Sequence, residues 1–121
     1  MDKIKSTVTG GKTTAILLAT YNGEKYLGEQ ITSLLSQSCQ DWHLYVHDDG
    51  SHDGTISILK HYACSFPEKV TILNYHIQGG ACFNFLSLLE RVDADYYFFC
   101  DQDDVWLPDK VETEMAEMQL L

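Results

Sequence analysis

The chain has 121 residues, of which 45% are hydrophobic, and it carries a formal net charge of -10 at pH 7. This length predicts one globular domain with its own core, and no run approaches the roughly 18 apolar residues of a membrane-spanning helix. Nucleic acid is not an expected partner, because that affinity depends on Lys and Arg and the chain has a single arginine, Arg91.

Cysteine spacing and the N-terminus bear on the compartment. The four cysteines have no close pair and stand among apolar neighbours, which predicts free buried thiols rather than disulfides or a zinc site: Cys39, Cys64, Cys82 and Cys100. The N-terminus lacks the apolar core of a signal peptide. We therefore expect a cytoplasmic protein, placed at the inner face of the membrane in its full-length form.

Apolar runs and helical patterns alternate along the chain. Residues 1–14 are polar and are expected to be a flexible leader to a domain over residues 15–121. The apolar runs predict four strands, at residues 15–19, 44–46, 70–73 and 96–100. The helical patterns predict four helices, over residues 24–37, between Thr55 and Pro67, around residues 82–89, and from Pro108 onward.

Three of these helices have an apolar stripe that should face the core. The predicted inward residues are Leu27, Ile31, Leu34 and Leu35, then Leu59, Tyr62, Ala63 and Phe66, and finally Val111, Met115 and Met118. Strict alternation of strand and helix predicts an α/β fold of the Rossmann type, a mostly parallel sheet with helices on both faces. The chain ends within or just after a helix, at Leu120 and Leu121, which is expected of a truncated larger protein.

Polar and glycine-rich clusters follow every predicted strand. They are Thr20 to Gly23, His47 to Gly54, Gly79 with Gly80, and Asp101 to Asp104. Ligands bind outside the carboxyl ends of the strands in an open parallel sheet. Four such clusters on one edge therefore predict a ligand site there.

The acidic cluster is Asp101-Gln102-Asp103-Asp104, directly after the aromatic run that ends at Cys100. Three aspartates in four residues repel one another unless something neutralises them. Carboxylates are preferred ligands of Mg²⁺ and Mn²⁺, which commonly bridge protein carboxylates to nucleotide phosphates. A polar turn that caps the following helix is the alternative.

The cluster after the second strand has two interpretations. Gly50, Ser51, Asp53 and Gly54 are best explained as a turn and a helix cap, with Asp53 or Ser51 accepting backbone N–H bonds. Asp49 could instead accept the imide N–H of a uracil or thymine ring, which Tyr21 on the neighbouring loop could stack against. The five histidines show no helical ligand spacing and are expected to be surface or packing residues.

With these clusters in place, the chain resembles the family 2 glycosyltransferases, enzymes of the GT-A fold. The resemblance runs from Thr14 to the end. It rests on the order and spacing of five segments: residues 18–24, 31–37 and 46–55, Gly80 with Asn84, and residues 101–104.

The resemblance implies a role for each matching residue. A nucleotide-sugar donor would be bound by Ala19, Thr20, Tyr21, Asp49, Gly80, Asn84, Asp101 and Gln102. Asp101 and Asp103 are the acids of the family's D-x-D motif, with Asp103 binding Mg²⁺ or Mn²⁺ directly and Asp101 at the ribose or a metal-bound water. Asp104 is a further possible ligand, although a helix N-terminus explains its charge almost as well.

The resemblance also implies an activity for the full-length protein, which would be metal-dependent and inverting. The stretch from Asp101 to Lys110 is most similar to bacterial members acting on rhamnose and cell-surface polysaccharides, which favours dTDP-rhamnose as donor, with UDP sugars close behind. The acceptor would be a saccharide or a lipid-linked saccharide. Many relatives have an arginine in the segment where this chain has Ala81, Cys82 and Phe83. The catalytic base is expected in a missing C-terminal half. This chain alone should therefore bind nucleotide weakly and turn over little.

Two hypotheses from other classes remain open at this point. A receiver-like phosphoacceptor domain has this length and an acidic pocket, but it requires its acid pair after the first strand, where this chain has Thr20 and Tyr21. A non-catalytic fragment that binds a nucleotide or a partner chain is the other.

Overall fold

The computed structural model describes residues 13–74, 92–100 and 105–119. Its four strands are β1 (Thr14–Thr20), β2 (His43–Asp48), β3 (Val70–Asn74) and β4 (Tyr96–Cys100). They form one sheet in the order β3-β2-β1-β4, and all three neighbouring pairs are parallel. The predicted parallel α/β architecture is confirmed.

The strand order changes direction at β1, because β2 lies on one side of it and β4 on the other. Chain connections that leave in opposite directions open a crevice at the carboxyl ends of such a strand pair, which is where α/β sheets bind ligands. The crevice therefore lies beside Thr20 at the end of β1 and Cys100 at the end of β4.

Three helices are described: α1 (Glu24–Leu35), α2 (Thr55–Ser65) and α3 (Lys110–Gln119). Their buried residues join alternate residues of the strands in one core, which includes Ile16, Leu18, Leu27, Ile31, Leu34, Leu44, Leu59, Phe98, Val111 and Met115. The other face of β1 presents Ala15 and Leu17 to Val92 and Tyr97. Both faces of β1 are thus covered, and every residue of this strand is buried, as its continuous apolar run predicts.

Several element boundaries differ from the predicted ones. β1 begins at Thr14, and α1 ends at Leu35 rather than Gln37. Phe66 is the C-cap of α2 and is 36% exposed, so its predicted inward position is wrong. Cys64 is exposed, whereas Cys39 and Cys100 are the predicted buried free thiols.

Some predictions concern residues that the structure does not describe. The helix predicted around residues 82–89 lies outside the described residues, as does Cys82, and the Met118 side chain lies outside the described side chains. Among the helices that are described, none has the length and apolar character needed to cross a membrane.

Candidate functional site

The loops that follow β1 and β2 are joined by a buried hydrogen bond between strand ends. Thr20 and Asp48 are direct neighbours in the parallel register. The Thr20 hydroxyl donates to Asp48 Oδ1 at 2.6 Å, and these residues are 1% and 0% exposed. The two strands are therefore fixed to each other at the edge where the predicted site lies.

The Asp48 carboxylate also shapes the turn that follows it. Its Oδ2 accepts the N–H groups of Gly50 at 3.0 Å and Ser51 at 2.7 Å, and its Oδ1 accepts the Ser51 hydroxyl at 2.7 Å. Gly50 has a φ of 85°, a left-handed conformation that glycine adopts without steric cost. All four donors converge on one buried acid, which makes Asp48 the organising residue of this turn.

A second set of bonds connects the start of α1 to the start of α2. Asn22, at a φ of 48°, donates its N–H to the Ser51 hydroxyl at 2.7 Å and accepts the His52 N–H on Oδ1 at 2.8 Å. The Gly23 N–H donates to the Thr55 hydroxyl at 2.8 Å. These bonds leave little freedom between the two loops.

Glu24 and Asp53 complete this connection reciprocally. The Glu24 N–H donates to Asp53 Oδ2 at 3.2 Å, and the Gly54 N–H donates to Glu24 Oε1 at 2.9 Å. Asp53 Oδ1 accepts both the hydroxyl of Thr55 at 2.5 Å and its N–H at 3.0 Å. The Thr55 hydroxyl and these N–H donors lower the pKa of Asp53. The prediction that Asp53 accepts backbone N–H bonds where Thr55 opens the helix is confirmed, although the N-cap residue itself is Gly54. Ser51 accepts the Asn22 N–H and donates its hydroxyl to Asp48.

The residues predicted to hold a base lie together at the rim of this connection. Ala19 is 7% exposed and Asp49 is 9% exposed, whereas Tyr21 is 49% exposed. The Asp49 N–H donates to the Thr20 carbonyl at 2.9 Å, so Asp49 is fixed beside β1. Four of the predicted nucleotide-binding residues, Ala19, Thr20, Tyr21 and Asp49, therefore lie at the neighbouring ends of β1 and β2. The Thr20 hydroxyl, however, donates to Asp48.

The remaining predicted site residues lie outside the described residues: Gly80, Asn84, Asp101, Gln102 and Asp103, together with Asp104. Within residues 13–74, 92–100 and 105–119, no group of three or more His, Cys, Asp or Glu side chains is arranged to hold a metal ion. The flanks of the acidic segment are described. Cys100 is fully buried at the end of β4, and Trp106, 4% exposed, packs in the main core.

Sequence reasoning missed Asp48, Asn22 and Glu24. The predicted roles after the second strand concern Asp49 and the turn residues, and they leave out Asp48, the buried acceptor on which the turn depends. The sequence could have indicated this role. Thr20 and Asp48 end two apolar runs, and parallel pairing of those runs places the hydroxyl beside the acid. Asn22 and Glu24 had no such signal, since their partners lie 29 to 30 residues away on another loop.

The chain has clear relatives. The sequence profile of Glycosyl transferase family 2 matches residues 15–120. The dTDP-rhamnosyl transferase RfbG of Shigella flexneri is 39% identical over 99 residues, which is 78% of this chain and 34% of that protein. The chain thus spans about a third of that relative's length.

Solved structures share the fold. Staphylococcus aureus TarS 1-349 in complex with UDP superposes with a TM-score of 0.72 at 25% identity, covering 89% of this chain and 32% of that one. The mannosyltransferase PcManGT from Pyrobaculum calidifontis, in complex with GDP-Man and Mn²⁺, gives a TM-score of 0.71 at 21% identity, covering 78% of this chain and 28% of that one. The described sheet is therefore that of the GT-A fold, and the chain belongs to glycosyl transferase family 2.

Proposed function

We propose that this chain binds a nucleotide-sugar donor, dTDP- or UDP-linked, at the carboxyl edge of its sheet. In the full-length protein the sugar would pass, with inversion, to a saccharide or lipid-linked saccharide acceptor in bacterial cell-surface polysaccharide synthesis. The observation that carries the proposal is the hydrogen-bonded connection between the ends of β1 and β2. It fixes Asp49 to Thr20, the residue before Tyr21, at the end of the strand that borders the β1–β4 crevice.

Asp49 and Tyr21 have the chemistry that a pyrimidine requires. An aspartate oxygen can accept the imide N–H of uracil or thymine, a donor that cytosine lacks. An exposed aromatic ring offers a stacking face, and Tyr21 is 49% exposed. Ala19 next to them has a small side chain that leaves room for a ring. We propose that Gly80, Asn84, Asp101 and Gln102 supply the other donor contacts.

A divalent cation fits the donor set of the acidic segment. Asp101 and Asp103 offer the hard oxygen ligands that Mg²⁺ and Mn²⁺ prefer, and in the sequence they follow directly on β4. Such an ion neutralises a diphosphate leaving group when it is bound. The GT-A neighbour solved with GDP-Man and Mn²⁺ supports this class of cofactor.

No described residue is assigned as the catalytic base. Glu112 accepts the hydroxyl of Ser38 at 2.6 Å, Glu114 pairs with Lys110 at 2.7 Å, and Asp109 is exposed before α3. These acids have structural or solvated positions. We propose that the base belongs to a part of the full-length protein beyond this chain, and that the full-length protein acts in the cytoplasm at the membrane face.

The test is a thermal-shift panel of UDP, dTDP, CDP, ADP and GDP, each with and without MnCl₂. Wild type should be stabilised most by UDP and dTDP, and more strongly when Mn²⁺ is present. Asp103→Ala should abolish the manganese-dependent part alone, and Asp49→Ala should reduce the preference for UDP and dTDP. Equal shifts with purine and pyrimidine diphosphates would remove Asp49 and Tyr21 as a base pocket, and no shift with any nucleotide would refute the proposal.

A further inference from the structure

Asn22 binds the loop after β2 through two hydrogen bonds that run in opposite directions. Its N–H donates to the Ser51 hydroxyl at 2.7 Å, and its Oδ1 accepts the His52 N–H at 2.8 Å. Its φ of 48° lies in the left-handed region, which asparagine adopts more readily than most residues with a side chain. The residue directly after Tyr21 therefore connects the two loops through both its backbone and its side chain.

Ser51 extends this connection to the buried acid at the end of β2. Its hydroxyl accepts the Asn22 N–H and donates to Asp48 Oδ1 at 2.7 Å, and the same oxygen accepts the Thr20 hydroxyl at 2.6 Å. Thr20, Tyr21 and Asn22 are consecutive residues. Three hydrogen bonds and these three residues thus form a closed ring. Both chain neighbours of Tyr21 are bound to the end of β2 or to the loop after it.

Asp49 is attached to the same ring from the second strand. It directly follows Asp48, and its N–H donates to the Thr20 carbonyl at 2.9 Å. Gly50, the next residue, has a φ of 85° and donates its N–H to Asp48 Oδ2 at 3.0 Å. The backbone positions of Tyr21 and Asp49 are therefore set relative to each other by bonds between the loops, in addition to the pairing of β1 with β2.

The two proposed base contacts differ in how strictly they depend on position. Stacking on an aromatic ring such as that of Tyr21 tolerates different bases, because every base has a π-face. A hydrogen bond to Asp49 requires a short distance and a nearly straight angle, and it weakens steeply when the angle is poor. A small displacement of Tyr21 relative to Asp49 should therefore impair the bond to the imide N–H before it impairs stacking.

We propose that Asn22 and Ser51 are specificity-determining positioning residues for the base. They hold the Tyr21 loop against the Asp49 loop so that a uracil or thymine ring stacked on Tyr21 presents its imide N–H to Asp49. Their removal should change which base is preferred more than how strongly a nucleoside diphosphate binds. This inference rests on the proposed function, since it assumes that Tyr21 and Asp49 bind the base.

The test uses Asn22→Gly and Ser51→Ala. Glycine adopts the φ of Asn22 without strain, so Asn22→Gly removes the Oδ1 acceptor of the His52 N–H and leaves the turn conformation accessible. Ser51→Ala removes the hydroxyl between Asn22 and Asp48. Asn22→Asp keeps an oxygen acceptor and tolerates the same φ, so it is the conservative variant. Ser57→Ala, at an exposed serine in the first turn of α2, is the matched control.

The measured quantity is the ratio of the dissociation constants for CDP and UDP, obtained by titration calorimetry at one fixed MnCl₂ concentration. Both nucleotides carry the same ribose and diphosphate, so contributions from these groups and from any cation are common to both. A fraction of unfolded protein also lowers the apparent affinity for both equally, so a loss of stability alone leaves the ratio unchanged.

Wild type should prefer UDP over CDP at least about tenfold, because a hydrogen bond to a charged group is at stake. Asn22→Gly and Ser51→Ala should reduce this preference at least about threefold, with CDP affinity near the wild-type value. Asn22→Asp and Ser57→Ala should keep the wild-type ratio. Asp49→Ala should abolish the preference, which assigns it to that carboxylate.

The outcomes distinguish this inference from the function on which it rests. If wild type and Asp49→Ala behave as expected but Asn22→Gly or Ser51→Ala keeps the wild-type ratio, even with a lower melting temperature, the loop contacts are only structural and the inference is wrong. A loss in Asn22→Asp as large as that in Asn22→Gly would also overturn it. If wild type binds neither nucleotide, or binds both equally, the proposed base site is wrong and the inference falls with it.

Discussion

The Thr20 hydroxyl and the Asp48 carboxylate form a 2.6 Å hydrogen bond between the last residues of two neighbouring parallel strands. The bond is buried, and the same carboxylate accepts three further bonds from Gly50 and Ser51. Asp49 and Tyr21 directly follow these two residues in the chain, so their positions depend on this bond. The stability of the domain should therefore depend strongly on Asp48.

Asp48→Ala should lower the free energy of unfolding by about 3 kcal/mol, since it leaves the buried Thr20 hydroxyl and the half-buried donors of Gly50 and Ser51 without their acceptor. Asp48→Asn should cost only about 1 kcal/mol, because an amide nitrogen in the place of Oδ1 faces two hydroxyls that can accept as well as donate. Urea denaturation measures both variants. Asp93→Asn, at an exposed carboxylate, is the control and should match wild type. Equal losses in the two Asp48 variants would contradict this account of the turn.

The fold was predictable because its strands are apolar in continuous runs. β1 is buried at every residue, and β4 has the predicted bounds, Tyr96–Cys100. The order of strands and helices along the chain then restricts the sheet to parallel pairing with few alternatives. These properties are local in sequence, which is why they could be read without coordinates.

The errors concern residues whose structure depends on distant partners. A helical pattern alone extends α1 to Gln37, but the helix ends at Leu35 and the Gln37 side chain binds Leu107 and Val111, 70 and 74 residues away. The role of Asp48 likewise depends on the register that places it opposite Thr20. Periodicity carries no information on such contacts, whereas pairing the ends of adjacent parallel strands would have identified Thr20 and Asp48.

His43 should make stability pH-dependent. Burial lowers its pKa from the ordinary value of 6.5, the bond to the Glu68 carbonyl opposes this, and the charge of Lys69 lowers the pKa further. Nδ1 lies 3.1 Å from that carbonyl and Nε2 lies 2.7 Å from the Thr71 hydroxyl, so the neutral ring with its proton on Nδ1 satisfies both partners.

The sign follows from proton uptake. The unfolded chain binds a proton at His43 more readily than the folded one, so this contribution to stability is complete above pH 6.5 and decreases as the pH falls through 6.5 toward the lower folded pKa. Urea midpoints at about pH 7.5 and about pH 5.5 measure the loss, which should be smaller in His43→Gln. His61→Gln, at an exposed histidine of α2, should keep the wild-type difference. An unchanged difference in His43→Gln would show that another group is responsible.

Lys69 should stabilise the turn before β2. Its ammonium lies 4.1 Å from the centroid of the Trp42 ring and donates to the Trp42 carbonyl at 3.1 Å and to the Gln40 carbonyl. Burial lowers the pKa of Lys69. Lys69→Met keeps most of the aliphatic stem and removes the charge, which should cost about 1 kcal/mol.

Thermal unfolding followed by tryptophan fluorescence measures the effect of Lys69→Met. Lys25→Met is the matched control, because the Lys25 ammonium lies 6.0 Å from the Tyr26 ring on an exposed side of α1. The control should change stability by less than about 0.5 kcal/mol. A similar loss in both variants would indicate a general charge effect in a chain of net charge -10 rather than the specific contact with Trp42.

Tyr21 should contribute to nucleotide affinity without contributing to stability. Its ring is 49% exposed at the rim beside Asp49, so little apolar surface is lost when it is truncated. Stacking of a base on an aromatic ring is worth about 1–3 kcal/mol per base by alanine substitution. Tyr21→Ala should therefore weaken UDP binding at least about fivefold, whereas Tyr21→Phe, which keeps the ring, should bind like wild type.

Tyr26→Ala is the control for Tyr21→Ala, since Tyr26 is a similarly exposed tyrosine, at 43%, on the first turn of α1. Titration calorimetry with UDP measures affinity, and urea midpoints report stability in the same preparations. Tyr26→Ala should leave both quantities unchanged. A loss of affinity in Tyr26→Ala equal to that in Tyr21→Ala would place the base elsewhere, because only Tyr21 follows directly on the strand end that Asp48 and Thr20 fix.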